Sequence, residues 1–354
     1  MKIIKIVTIN VLVFLFLFEL LLRFFWNNSY VPFDDKVYFH KPFVSYEFIN
    51  ISQLYDYEKK IILRTGKYGN IINKKKIDIQ KNQTYALALG GSSVESALVP
   101  EGLRWPDLLS IPTFNFGKSR LNSSHTVENL KYIFKNYDLK PKYIFIMDGV
   151  NNLSNYITWG ENGLSSPEYS TNRNIIKFIR KNYYTSALII DLIKKNNYFL
   201  FYKADTERRN KLAIHKNLFL SEFIRLNKKK MFNSLQSKLI EMKKISQSNN
   251  FKIIILTQPN SYYKNFKAYR YDLRTKPIMN GKALTIEQAY NLSRFYNELT
   301  KEVAQSVNLS FIDINKCFDK KNTSDLFYDS FHFTIEGSKY FAKCLNKSLI
   351  NIFE

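Results

Sequence analysis

Two short spacings in this chain are suited to nucleophilic chemistry: Gly90-Gly91-Ser92-Ser93 and, near the C-terminus, Asp329-Ser330-Phe331-His332. A serine hydroxyl is a poor nucleophile at neutral pH and needs an adjacent base. The candidate bases are His40, His125, His215 and His332. His332 is the favoured one, because Asp329 lies three residues before it and one loop can position both. The aspartate would then orient the ring and stabilise the imidazolium. His125 is the alternative base. Glycines before Ser92 permit a sharp turn that exposes a hydroxyl at a helix N-terminus. Ser93 reads as a helix N-terminal residue. Glu95 reads as a first-turn carboxylate favoured by the helix dipole, not as an acid catalyst. The sequence shows no metal-ligand spacing, dinucleotide fingerprint or P-loop, so neither a metal nor a cofactor is expected.

These residues need elements to hold them. Five short apolar runs are candidates for buried strands: Tyr85–Gly90, Thr113–Gly117, Lys142–Met147, Phe251–Leu256 and Leu309–Ile314. Continuous apolar runs of this length suit a parallel sheet covered on both faces. Helical patterns precede the last three, at Ser124–Asn136, Met231–Ser248 and Ile286–Val307. The alternation predicts a doubly wound α/β fold. In such a sheet, sites form at the carboxyl ends of the strands. Ser92 follows the first run and Gly117 ends the second, where a backbone N–H can face a ligand. Gly149-Val150-Asn151-Asn152 follows the third as a turn, in which Asn151 either donates its amide to a ligand or caps the turn.

Four pieces in this order resemble the SGNH (GDSL-type) hydrolase superfamily over roughly residues 85–350. They are Gly90-Gly91-Ser92, Gly117 within Asn115-Phe116-Gly117, Gly149-Val150-Asn151, and Asp329 with His332. The family's Gly-Asp-Ser is here Gly-Gly-Ser, as in membrane-anchored members, and Asn152 stands where Asp is usual. Trp105-Pro106-Asp107-Leu108-Leu109 also resembles that variant. The resemblance implies a flavodoxin-like three-layer α/β/α sandwich with a five-stranded parallel sheet. It further implies a catalytic Ser92, Asp329 and His332. The oxyanion hole would be made by the Ser92 and Gly117 N–H groups and the Asn151 side chain.

The remainder of the chain bounds the setting. Ile6–Phe25 is an apolar run of about 20 residues, about 30 Å as a helix, enough to span a bilayer. Lys2 and Lys5 precede it, which predicts a cytoplasmic N-terminus and an extracytoplasmic bulk. Glu19 and Arg23 are spaced to pair across one turn. The bulky Arg23–Asn28 stretch favours an uncleaved anchor over a signal peptide. The expected organisation is an anchor over 1–26, a stem with accessory strands over 27–84, and a hydrolase-like domain over 85–354. A helical insertion is expected at about 155–228, because Gly149 to Phe251 far exceeds the roughly 30 residues of a βαβ unit. It would form a cap over the cleft mouth.

Net charge is +23, mostly from lysines spread along the chain. It reads as solvated faces; the other reading is attraction to anionic lipid or phosphorylated glycan. No nucleic-acid-binding signature is present. Two cysteines, Cys317 and Cys344, exclude a disulfide-dense scaffold and are either paired or buried thiols. The expected function is a membrane-anchored serine esterase or acyltransferase acting on acylated, chiefly O-acetylated, extracytoplasmic glycans. A non-catalytic glycan-binding or assembly protein is the alternative. The sequence specifies no oligomeric state.

Overall fold

The computed structural model describes residues 2–25, 37–49, 54–55, 59–73, 84–161, 220–262, 277–279, 282–318 and 325–353, with isolated positions between 163 and 212. A central sheet of five parallel strands follows the order β4-β3-β5-β6-β9. The strands are β3 (Ala86–Gly90), β4 (Thr113–Asn115), β5 (Tyr143–Met147), β6 (Lys252–Leu256) and β9 (Ser310–Ile312). Each lies within one of the five apolar runs. Strand β5 is central, with Gly90 opposite Met147 and Ile144 opposite Ile253.

Side chains alternate across the sheet and build two cores. Leu87, Leu89, Ile144, Ile146, Ile253 and Ile255 pack on one face against three helices. These are α3 (Ser123–Asn136), α5 (Leu220–Ser248) and α6 (Ile286–Ser306). Ala88, Phe145, Met147, Ile254 and Leu256 pack on the other face against Trp105 and α8 (Ile335–Phe353). Both faces are therefore covered, which explains the continuous apolar runs. The result is a three-layer α/β/α sandwich. Cys317, in α7 (Asn315–Phe318), is disulfide-bonded to Cys344 in α8.

The region before the sheet contributes an antiparallel hairpin of β1 (Ser45–Ile49) and β2 (Lys60–Arg64). It is joined to the sheet edge through Ile71, whose N–H donates to Asn115 O at 2.7 Å. A second small hairpin pairs β7 (Ile278–Met279) with β8 (Lys282–Ala283). Helix α1 (Lys2–Phe25) contains an exposed apolar span of 20 residues, Ile6–Phe25.

One sequence expectation is corrected here. Gly149–Asn152 is not a turn; it opens α4 (Gly149–Trp159), a helix that follows β5 directly. Helices occupy both ends of the expected insertion. Residues 155–159 belong to α4 and residues 220–228 to α5, which begins eleven residues before the expected Met231. The lysine-rich start of α5 hides its helical period. Most of what lies between, including His215, falls outside the described residues, as does Lys74–Lys76. The described Tyr184 and Thr185 touch α1, where Glu19 accepts hydrogen bonds from both backbone N–H groups at 2.7 and 2.8 Å.

Candidate active site

The nucleophile candidate sits where β3 ends and α2 (Ser92–Glu95) begins. The turn is tight on both sides. A Cβ on Gly91 would lie 2.0 Å from Asn151 Nδ2, so any side chain there would expel that amide. Trp105 holds the turn from the other face: its fully buried indole donates to Ser93 O at 3.0 Å. Ser93 Oγ donates to Phe331 O at 3.1 Å, tying the serine turn to the histidine loop.

Across from Ser92, the loop before α8 delivers His332 and Asp329. Ser92 Oγ lies 2.6 Å from His332 Nε2, and His332 Nδ1 lies 2.5 Å from Asp329 Oδ2. A carboxylate only accepts, so Nδ1 carries the proton and Nε2 is left to accept from the serine hydroxyl. Asp329 Oδ1 accepts from the Phe331 and His332 N–H groups at 2.9 and 2.7 Å, which fixes the loop. The ring stacks on Tyr328, with centroids 5.5 Å apart and an interplanar angle of 9°. Burial opposes charge on His332, but Asp329, and behind it Glu95, hold its pKa above the ordinary value. The structure thus brings Ser92, His332 and Asp329 into one hydrogen-bonded line.

The expected oxyanion donors fare differently. The Ser92 N–H is the first of a helix and has no intrahelical acceptor. Asn151 Nδ2 donates one hydrogen to Leu121 O at 2.7 Å, and its other amide hydrogen has no partner among the described residues. The Gly117 N–H instead donates to Asn115 Oδ1 at 2.9 Å, so the donor expected there is already committed. What Gly117 supplies is space, because a Cβ would lie 2.3 Å from Glu95 N.

Residues that sequence reasoning passed over complete the frame. Gln258, after β6, donates to Ser93 Oγ at 2.6 Å and accepts from Val150 N at 3.0 Å. Ser261 donates through Oγ to Asp329 O at 2.6 Å and through N to Ser330 O at 2.9 Å. Their position just past a strand's carboxyl end was the available signal. Asn152 fastens α4 to α3, accepting from Ser123 N at 2.9 Å. His125 is not positioned as a base: it forms a capping box with Asn122 at the start of α3.

No family model and no curated protein matches the chain. Solved structures do. One is an alpha/beta hydrolase enzyme from the metagenome of Lake Arreo, Spain, 12% identical, covering 75% of this chain and 94% of that one at a TM-score of 0.40. Another is a member of the lipolytic protein G-D-S-L family from Veillonella parvula, 12% identical, covering 76% and 98% at a TM-score of 0.40. A third is a variant of an acetyl xylan esterase from Geobacillus stearothermophilus, 14% identical, covering 75% and 94% at a TM-score of 0.37. The five-stranded parallel sheet in this order, with a serine after its first strand and an Asp-x-x-His loop before its last helix, agrees with the three-layer α/β/α sandwich that the resemblance to the SGNH (GDSL-type) superfamily implies.

Proposed function

We propose that this chain is a serine ester hydrolase that works through an acyl-enzyme on Ser92. The observation that carries the reading is the continuous line from Ser92 Oγ through His332 to Asp329. In the first step His332 Nε2 takes the Ser92 proton as Oγ attacks the ester carbonyl. The oxyanion that forms is stabilised by the Ser92 N–H and the uncommitted Asn151 amide hydrogen. His332 then returns the proton to the leaving alcohol. The acyl group next passes to water, or to a sugar hydroxyl, which His332 deprotonates in turn.

The setting we propose is the outer face of a membrane, with residues 1–26 as anchor, 27–84 as stem and 85–354 as the catalytic domain. Support comes from the apolar span Ile6–Phe25, preceded in α1 by Lys2 and Lys5. The Cys317–Cys344 disulfide supports it too, since such bonds persist in oxidising compartments. A domain tethered outside the cell suits an acylated, chiefly O-acetylated, surface glycan as substrate.

The test is labelling of the purified full chain by a fluorophosphonate probe, with turnover of a generic acetyl ester. Label on Ser92 is expected, and Ser92→Ala should lose both label and turnover, by roughly 10,000-fold or more in rate. Asn151→Ala should cost about 100- to 1,000-fold in kcat. Turnover should fall as pH drops through a His332 pKa lying above about 6.5. A wild-type protein with neither label nor turnover would favour a binding or assembly role instead.

A further inference from the structure

A second buried carboxylate lies close to the catalytic line, and the proposed mechanism does not use it. Glu95 is the last residue of α2, one turn beyond Ser92, and is buried. Its Oε1 lies 2.9 Å from His40 Nε2, and its Oε2 accepts from the Ser119 hydroxyl. His40 is itself buried and comes from the segment preceding β1, outside the central sheet. The carboxylate accepts only, so His40 donates from Nε2. Its Nδ1 has no hydrogen-bond partner among the described residues, as suits a neutral ring whose second nitrogen carries no proton. Burial keeps His40 neutral by lowering its pKa against the pull of Glu95. Burial also opposes charge on Glu95, yet His40, Ser119 and Lys118 together hold its carboxyl below the ordinary range. A buried, ionised carboxylate held by a donor on each oxygen is an arrangement that removing one partner disrupts.

Three segments meet on this carboxylate. Helix α2 carries Ser92. The loop after β4 carries Ser119 and, two residues on, Leu121, whose carbonyl fixes the Asn151 amide. The segment before β1 carries His40, and Lys118 Nζ clasps that segment at Phe39 O, 3.1 Å away. We propose that Glu95, clamped by His40 and Ser119, is a positioning residue for the nucleophile and the oxyanion donor. It holds α2 in register with the Lys118–Leu121 loop and keeps a second negative charge near the imidazole. The stem segment then belongs to the catalytic apparatus and is more than a spacer.

The charges around this centre define the pH test. Asp329 and Glu95 are the anions acting on His332, from its own loop and from α2. Lys118 and Arg104 are cations facing the Glu95–His40 pair from the loops after β4 and before Trp105. Removing the Glu95 charge therefore lowers the His332 pKa. Glu95→Gln in the full chain should reduce kcat roughly 10- to 100-fold with little change in KM, the scale expected for a displaced reacting group. Its acid limb in the pH–rate profile should move to lower pH. An NMR titration of the His332 imidazole should shift the same way, and that readout needs no turnover. Ser119→Ala keeps the charge and frees the loop, so it should cut kcat severalfold with the acid limb unmoved; Ser119 is exposed, and this variant tests the idea even if Glu95→Gln does not fold. The kinetic arms rest on the esterase reading, which probe labelling of the wild type tests separately. An unmoved His332 titration in folded Glu95→Gln, or unchanged kcat in Ser119→Ala, would overturn the proposal.

Discussion

At the scale of single residues, the chain buries a carboxyl that the Ser92–His332–Asp329 line does not touch. Asp148 follows β5 and is the N-cap residue of the helix that carries Asn151. Neither of its oxygens accepts a hydrogen bond among the described residues. It borders a cavity of about 20 Å³, room for one water, with Ser123, Asn152 and Thr300 in the same lining. Burial pushes its pKa up to about 7, and the nearby Thr126 and Ser123 hydroxyls lower it only in part, without closing a bond of normal geometry. The unfolded chain ionises an aspartate near pH 4. Between about pH 4 and 7 the folded protein therefore holds a proton that the unfolded chain has lost. Stability is fully present below that window, falls through it on the order of 1 kcal/mol per pH unit, and is level above it. Asp148→Asn has no proton to lose. Its urea midpoint relative to wild type should rise from pH 5 to 7 and then hold steady. A difference that stayed constant across this range would show that Asp148 is ionised throughout.

At the scale of elements, the sheet was legible because both its faces are buried. A strand such as Tyr143–Met147 has no polar face to show, so it appears as an unbroken apolar run. The two ends of the Ser92–His332–Asp329 line were legible too, since each follows a local spacing. What joins them was not. Gln258 and Ser261 act across 165 and 68 residues of sequence, and polar side chains in a loop carry no periodicity. Gly117 was legible as important but not for the right reason, because the sequence does not reveal that α2 packs against it. Gly117→Ala would force a Cβ to 2.3 Å from Glu95 N and 2.6 Å from Val94 C, so the nucleophile helix must move. The expected cost is about 1–3 kcal/mol of stability, as for other overpacked sites, with kcat reduced in the folded fraction. Gly149→Ala is the control: its Cβ would come no closer than 3.6 Å to Gln258 Cβ and should leave stability and kcat near wild type. Equal behaviour of the two variants in denaturation and turnover would show that close approach is not what Gly117 provides.

At the scale of the whole molecule, α1 is in contact with residues of the expected insertion. Glu19 lies within the apolar span of α1, where an unpaired carboxylate is costly. Arg23 answers it at 3.2 Å, as the sequence spacing predicts. The structure adds partners that the spacing did not reveal. Glu19 accepts from the Tyr184 and Thr185 N–H groups and from the Thr185 hydroxyl at 2.8 Å, while Arg23 lies 5.2 Å from the Tyr184 ring centroid. Three donors and a guanidinium satisfy the carboxylate, and the contact carries residues 184–185 to the level of the span. Residues 184 and 185, which lie within the expected insertion, therefore contact α1. Tyr183, Ile189 and Leu192, each about half exposed, belong to the same stretch. A full chain with Glu19→Cys and Thr185→Cys should form an intramolecular cross-link in membranes on mild oxidation, seen as a mobility shift lost on reduction. Glu19→Leu should free the insertion and speed protease cleavage near Tyr183, while turnover of a small soluble ester stays near wild type, because neither residue touches Ser92. Absence of the cross-link, together with unchanged cleavage in Glu19→Leu, would show that residues 184–185 are not held on α1.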